Sequence, residues 1–472
     1  MTPEEFRRAG HELVDFIADY RVRAARGEFP VMSRVAPGSL RQALPKAPPT
    51  DPEPFEAIRR DLDALILPAC THWQDPRFHG YFPSNGLPAA VLGDLVSTGL
   101  GQLGLNWQAS PALTELEEVT LDWWRQLLGL SPAWSGVIQD TASTATFVAL
   151  VCARERATRF AAVRGGLQGE PRPLMVYVSS QAHSSVAKAA MLAGFGTENL
   201  RSIPVDENFD LRPEALERAI AEDLSADRLP CAIVATTGTT ATTAFDSLED
   251  AARIAQGAGA WLHVDAAMAG SAMILPECRP LWSGIEAADS LVVNPHKWLG
   301  VSFDCSTYYV RDPQLLVRVM STNPSYLQTA ADGQVKNYRD WGIPLGRRMR
   351  ALKLWFVLRE QGTAQLQARI RRDLENARWL AEEIRRAPDW KILAPVRLQT
   401  LVVRHEPPGL DAAALDAHTQ AWARAVNESG EAYLTPALIE GRWAVRVSIG
   451  ATATERPHLA DLWRLMRQNA GG

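Results

Sequence analysis

This sequence predicts an α/β fold built on a mostly parallel sheet. Short, nearly all-apolar runs recur along the middle of the chain: GVIQ (136–139), LMVYVS (174–179), CAIVATT (231–237), WLHVDAA (261–267) and SLVVNPH (290–296). Helical patterns at 143–160, 184–194, 212–224 and 247–257 separate most of them. Strands buried on both faces that alternate with helices pair in parallel. A further observation locates function. Asp265, His183 and the segment 294–297 each follow an apolar run, at the strand ends where open parallel sheets bind ligands.

Taken in order, residues 3–25 read as one helix, with Phe6, Leu13, Phe16 and Ile17 near a single face. VAPGSLRQALPKAPPTDPEPF (35–55) is too rich in proline for regular structure and reads as an extended connector. A second helix at about 55–67 stops at Pro68. The portion 1–87 has too little apolar area to close its own core and is taken as a helical flap. The alternating strands and helices define a large domain, 88–363. Two consecutive helical segments, 346–362 and 363–386, lead into a smaller α/β domain over 364–472.

Composition narrows the function classes. The 472 residues carry a net charge of −5, 46% apolar and 22% charged residues. That balance allows an ample core and shows no concentrated basic patch for nucleic acid. No run of about 18 apolar residues offers a membrane span. The start, MTPEEFRRAGHELVDFIADY, is charged and amphipathic, unlike a secretory signal, which points to the cytoplasm. Five cysteines lie far apart without metal-ligand spacing, so reduced thiols and no metal are expected.

The chemistry gathers at the strand ends. Lys297 in NPHKWLG (294–300) follows an apolar run; a lysine short of solvent becomes an amine nucleophile able to form an imine. Alone it also reads as a lysine snorkelling at a strand end. Asp265 in HVDAAMAG needs a positive partner where it sits, and a protonated pyridine nitrogen would be one, although a helix-capping role is open to it. In QDTASTATFVALVCARER (139–156), a strand runs through Thr141, Ala142 and Ser143 into a helix whose N-terminus suits a lone phosphate or an ordinary cap. His183 lies between a strand and a helix, where an imidazole could stack on a cofactor ring or be a polar loop residue. Thr239, in TTGTTATTAFD, could reach a ring oxygen or phosphate, or belong to a polar turn.

With these residues in view, the chain resembles the group II pyridoxal phosphate-dependent decarboxylases, specifically the aromatic L-amino-acid decarboxylases. EFRRAGHELVDFIADY, THWQDPRFHGYFPSNG, ASPALTELE, HVDAAMAGSA, NPHKWLGVSFDCS and IPLGRRMRALKLWFVLR carry the resemblance along nearly its whole length. It implies the aspartate aminotransferase-like fold (fold type I) and pyridoxal 5'-phosphate as cofactor. It further implies Lys297 as the internal aldimine lysine, Asp265 on the pyridine nitrogen and His183 on the ring. Ala142, Ser143 and Asn294 would hold the phosphate, with Thr239 and His296 close by. Tyr326 matches a mobile-loop tyrosine that protonates the quinonoid carbon; phenylalanine there goes with oxidative deamination to an aldehyde. Leu103 and Leu105 would reach into a neighbouring subunit's site, implying a homodimer.

The pocket segments FHGYFPSNG (78–86) and LGLNW (103–107) carry no Arg or Lys to receive a distal carboxylate. Tyr81, Phe82, Leu103 and Leu105 therefore favour an aromatic side chain, with Ser84 available to a ring hydroxyl or indole N–H. Gly346 matches a position held by Gly or Ser in the family, and Gly leaves room for indole or catechol. Tryptophan, 5-hydroxytryptophan or DOPA is the expected substrate, and amine and carbon dioxide the products. An aldehyde-forming enzyme on the same fold and a non-catalytic pyridoxal phosphate-binding protein are the competing expectations. Thr144 and Met268 depart from the Glu and Tyr common in relatives.

Overall fold

A computed structural model describes residues 1–322 and 325–471. In chain order its helices are α1 (Pro3–Ala25), α2 (Ser39–Ala43), α3 (Phe55–Asp61), α4 (Pro88–Leu100), α5 (Pro111–Leu128), α6 (Ala142–Ala157), α7 (Ser184–Leu192), α8 (Pro213–Ser225), α9 (Leu248–Ala258), α10 (Pro313–Met320), α11 (Ala351–Arg386), α12 (Ala412–Ser429) and α13 (Arg456–Ala470). The strands are β1 (Ser135–Gln139), β2 (Leu174–Ser179), β3 (Leu200–Ile203), β4 (Leu229–Thr236), β5 (Trp261–Asp265), β6 (Ser290–Val293), β7 (Ser306–Val310), β8 (Trp390–Ile392), β9 (Thr400–His405), β10 (Thr435–Ile439) and β11 (Arg442–Ser448). No helix among the described residues is long and apolar enough to cross a membrane.

The chain divides into two compact units, one of residues 84–371 with 394–398, the other of 1–83, 372–393 and 399–472. The larger unit holds a seven-stranded sheet in the order β1-β7-β6-β5-β4-β2-β3. The α/β expectation is met: β6, β5, β4, β2 and β3 pair in parallel, and only β7 runs against its neighbours. Register aligns Thr236 with Asp265 and Asp265 with Val292, so β4, β5 and β6 end at one edge and deliver their following loops to one place. Helix α6 lies on this sheet through Ala145, Val148, Ala149, Cys152 and Ala153, all buried. Small side chains let the helix axis come close to β4, β5 and β6.

In the other unit, β10-β11-β9-β8 form an antiparallel sheet. The N-terminal segment is tied to it by backbone bonds, His79 N–H to the Tyr433 carbonyl and Ser448 N–H to the His79 carbonyl, each 2.9 Å. The Thr454 hydroxyl adds a bond to the Pro76 carbonyl at 2.6 Å. A segment too poor in apolar area for its own core thus completes one supplied by distant sequence.

Several elements differ from expectation. The proline-rich connector contains one helical turn, α2, in its proline-free stretch SLRQA after Gly38, whose φ of 89° starts the reversal. The helix begun at Phe55 loses α geometry at Leu62, ahead of the expected stop, passing through a π turn to Ile66 and then a 3-10 turn, Leu67–Ala69, that contains Pro68. Residues 346–350 are not helical, but the expected break near 362 is present: Gly362, at φ 61° and ψ 169°, interrupts α11. β3 and β7 were not anticipated from the apolar runs.

Candidate active site

Lys297, Asp265 and His183 stand at the ends of three strands of the larger unit. β2 leads to His183, which caps α7. Its Nδ1 accepts the Ser185 backbone N–H at 3.1 Å, with the Ser185 hydroxyl 2.8 Å away. A neutral ring so bonded carries its proton on Nε2. β5 ends at Asp265, 6% exposed; its Oδ1 accepts the Ala267 N–H at 3.0 Å. β6 runs into a turn closed by the Lys297 N–H on the Asn294 carbonyl at 3.0 Å, leaving Lys297 half-buried.

Electrostatics connects the three. Burial pushes the His183 pKa below the ordinary imidazole value of 6.5, the Lys297 ammonium pushes it further, and the Asp265 carboxylate pulls it back.

His296 is held in the same manner. The Cys305 N–H donates to its Nδ1 at 2.9 Å, so its neutral ring also presents Nε2–H. Burial first, then the Lys297 charge, lowers its pKa to about 3. Phe303 meets the ring edge-on with centroids 4.8 Å apart. The Asn294 Oδ1 accepts the Ser306 hydroxyl at 2.6 Å, which orients the amide nitrogen as the outward donor. Ser84 donates its hydroxyl to the His296 carbonyl at 2.5 Å; its proton is therefore committed, and its oxygen can act further only as an acceptor.

At the phosphate-type seat, Thr141 caps α6 and Ala142 begins it, buried, with Ser143 exposed beside it. A 16-residue helix presents unsatisfied N–H groups and positive partial charge at that end. Thr239 is buried in the loop after β4, its Oγ1 accepting the Ala244 N–H at 3.0 Å and meeting Thr242 Oγ1 at 2.9 Å. Its hydroxyl serves that loop's own geometry.

Gly346 and Leu103 come together. A Cβ on Gly346 would stand 3.2 Å from Leu103 Cδ1, and Leu103 is exposed while Leu105 is half-buried. Tyr81 and Phe82 belong to the other unit. There Tyr81 stacks on Trp73 at 5.6 Å and its hydroxyl accepts from Tyr433 at 3.2 Å, while the Arg446 guanidinium lies 4.9 Å over the Phe82 ring. The side chain of Tyr326 lies outside the described residues.

Sequence reasoning missed the groups that aim these side chains. Ser185, Ser306 and the Cys305 amide fix His183, Asn294 and His296. It also missed the buried Arg347–Glu117 pair, at 2.6 and 3.1 Å. Arg347 holds the Gly104 N–H through its carbonyl at 2.9 Å, and its guanidinium bonds the Ile138 carbonyl at 2.7 Å. The pair thereby fastens the Leu103 and Gly346 segments to β1.

The donor set fits a phosphorylated pyridine aldehyde: an amine for the carbonyl, a carboxylate for the ring nitrogen, a flat imidazole, and a helix N-terminus with small residues for a dianion. A sequence profile described as the pyridoxal-dependent decarboxylase conserved domain matches residues 37–405. A tryptophan decarboxylase of Camptotheca acuminata is 40% identical over 484 residues, covering 100% of this chain and 95% of the relative. A phenylacetaldehyde synthase of Arabidopsis thaliana is 40% identical over 480 residues, covering 100% and 96%. The solved structure of Oryza sativa TDC with PLP and tryptamine superposes with a TM-score of 0.96 at 35% identity, covering 100% of this chain and 98% of that one.

Proposed function

The chain belongs to the pyridoxal-dependent decarboxylases, with pyridoxal phosphate as cofactor, and from that membership we propose that it converts an aromatic L-amino acid to its amine and carbon dioxide. The substrate is of the tryptophan, 5-hydroxytryptophan or DOPA type. The observation that carries the reading is that the parallel register of β2, β4, β5 and β6 brings the segments bearing His183, Asp265 and Lys297 out at one edge of the sheet.

Lys297 would hold the cofactor through its aldehyde, Asp265 would serve its ring nitrogen and His183 its ring face. Ala142, Ser143 and Asn294 would hold the phosphate, with Thr239 and His296 close by. When bound, the cofactor supplies a cationic conjugated ring that delocalises the electron pair left as carbon dioxide departs. His183 and His296 each offer an Nε2–H, because their Nδ1 atoms are occupied by backbone amides. A neutral His183 donates to the substrate carboxylate without repelling the Lys297 ammonium. Tyr81, Phe82, Leu103, Leu105 and Gly346 receive the aromatic side chain, and Ser84 accepts a ring hydroxyl or indole N–H. Tyr326 returns the proton to the α-carbon.

A homodimer is part of this proposal. Leu92, Leu95, Val96 and Leu100 of α4 and the following Leu103 recur at helical spacing, and all are exposed. An apolar stripe of that length on a single chain is a surface for a second copy to cover, with Leu103 and Leu105 carried toward its site. Cytoplasmic residence accords with five cysteines that form no disulfide with one another.

A panel of tryptophan, 5-hydroxytryptophan, DOPA, histidine and glutamate, scored by carbon dioxide and amine, tests the reading. Turnover of at least one of the first three and of neither of the last two is expected. Release of aldehyde, ammonia and peroxide in place of amine would instead support the aldehyde-forming reading that the Arabidopsis relative suggests. Binding of cofactor without turnover of any amino acid would support the non-catalytic one.

A further inference from the structure

Behind the site lies a buried polar junction that the proposed chemistry does not use. His263 of β5 is fully buried, two residues before Asp265 and so on the same side of the strand. Its Nδ1 is 2.9 Å from the Ser290 hydroxyl of β6, and its Nε2 is 3.3 Å from the Thr146 hydroxyl of α6. Trp261 Nε1–H donates to the same Ser290 oxygen at 2.8 Å. Thr146 lies one turn beyond Ala142 and Ser143, where α6 begins. Burial holds the His263 ring neutral, with its pKa lowered to about 4. Either neutral tautomer satisfies both nitrogens, since each facing hydroxyl can donate or accept.

We infer that His263 is a positioning residue that sets the spacing between the phosphate seat at the start of α6 and the Asp265 carboxylate at the end of β5. The inference rests on the reading of these residues as a pyridoxal phosphate site. A pyridine ring and its phosphate form one stiff ligand, so its two anchors must keep a fixed separation. The apolar contacts of α6 with the sheet press the helix down but leave sliding along the strands weakly specified. A hydrogen bond from the second turn of the helix to the strand that bears the carboxylate fixes that coordinate. His263 and Thr146 touch neither substrate nor cofactor; they act through Asp265, Ala142 and Ser143.

Thr146→Val removes the link while keeping the shape of the side chain. The experiment compares the dissociation constants of pyridoxal phosphate and of pyridoxal, which lacks the phosphate, by titrating apoprotein and reading the absorbance of the adduct with Lys297. Pyridoxal phosphate binding should weaken about tenfold, the effect of one lost buried hydrogen bond, with pyridoxal changed less than about twofold. His263→Asn keeps an amide where Nδ1 meets Ser290 and withdraws from Thr146; it should give the same split and serves if Thr146→Val does not fold. Unchanged pyridoxal phosphate binding would overturn the inference. So would an equal loss for both ligands, or a lowered melting temperature of the apoprotein without the split, since those mark a purely structural bond. Failure of the wild-type protein to form any adduct at Lys297 would instead overturn the proposed function.

Discussion

Replacing Glu117 by Gln should destabilise the larger unit by about 3 kcal/mol, toward the lower end of the ~3–5 kcal/mol seen when one partner of a buried ion pair is lost. Glu117 is fully buried and Arg347 only 5% exposed, so solvent screens little of their attraction. Two unit charges about 3 Å apart attract by roughly 5–6 kcal/mol at an effective dielectric of about 20, part of which desolvation has already consumed. The geometry says where glutamine fails. Oε1 accepts from both Arg347 and the Ile138 N–H, and Oε2 accepts the second guanidinium bond. A glutamine oxygen can replace Oε1, but its NH2 then opposes an N–H of Arg347, donor against donor. Urea denaturation of the holoenzyme, followed by tryptophan fluorescence and by the cofactor signal from this unit, measures the loss. The double variant Glu117→Met/Arg347→Met leaves no stranded charge and should recover at least half of it. A single variant within about 1 kcal/mol of wild type, or a double variant less stable than the single, would refute the assignment of this pair as the fastening of the Leu103 and Gly346 segments.

Tyr326→Phe should divert product from amine toward aldehyde, with ammonia and peroxide released; unchanged amine output would remove Tyr326 from proton return. Stability should fall steeply in mild acid. His263 and His296 have folded pKa values of about 4 and about 3 against an ordinary 6.5. The unfolded chain therefore binds more protons between those values, and stability complete above about pH 6.5 declines as pH drops toward 4. Two such groups give a slope of about 3 kcal/mol per pH unit, measurable as urea midpoints of the apoprotein. A flat profile from pH 6.5 to 4.5 would contradict the burial of both rings.

How much of this was legible in the sequence depended on whether a residue's task showed in its own neighbourhood. β4, β5 and β6 were readable because their side chains are apolar in sequence and buried on both faces. β7 was not, because its hydroxyls are satisfied only in the fold: Thr307 donates to the Val293 carbonyl at 3.0 Å and Tyr309 to the Leu121 carbonyl at 2.8 Å. β3 is an edge strand with half-polar composition, and its alternation is too short to register. Among the site residues, Lys297, Asp265 and His183 stood out as charged or titratable groups at the ends of apolar runs. Their orienting partners did not. The Cys305 group that sets the His296 tautomer is a backbone amide with no side-chain signature. Glu117 and Arg347 lie 230 positions apart, and each alone looks like a solvated charge. Gly362 shows the opposite case: one glycine in a helical pattern marks a break that the fold contains.

The most direct test of the account is chemical. Borohydride reduction of the holoenzyme, followed by proteolysis and mass mapping, should place a single reduced phosphopyridoxyl group on Lys297, with the Lys297→Ala protein unlabelled. A label on any other lysine, or none on a protein that still releases amine from an aromatic amino acid, would contradict it.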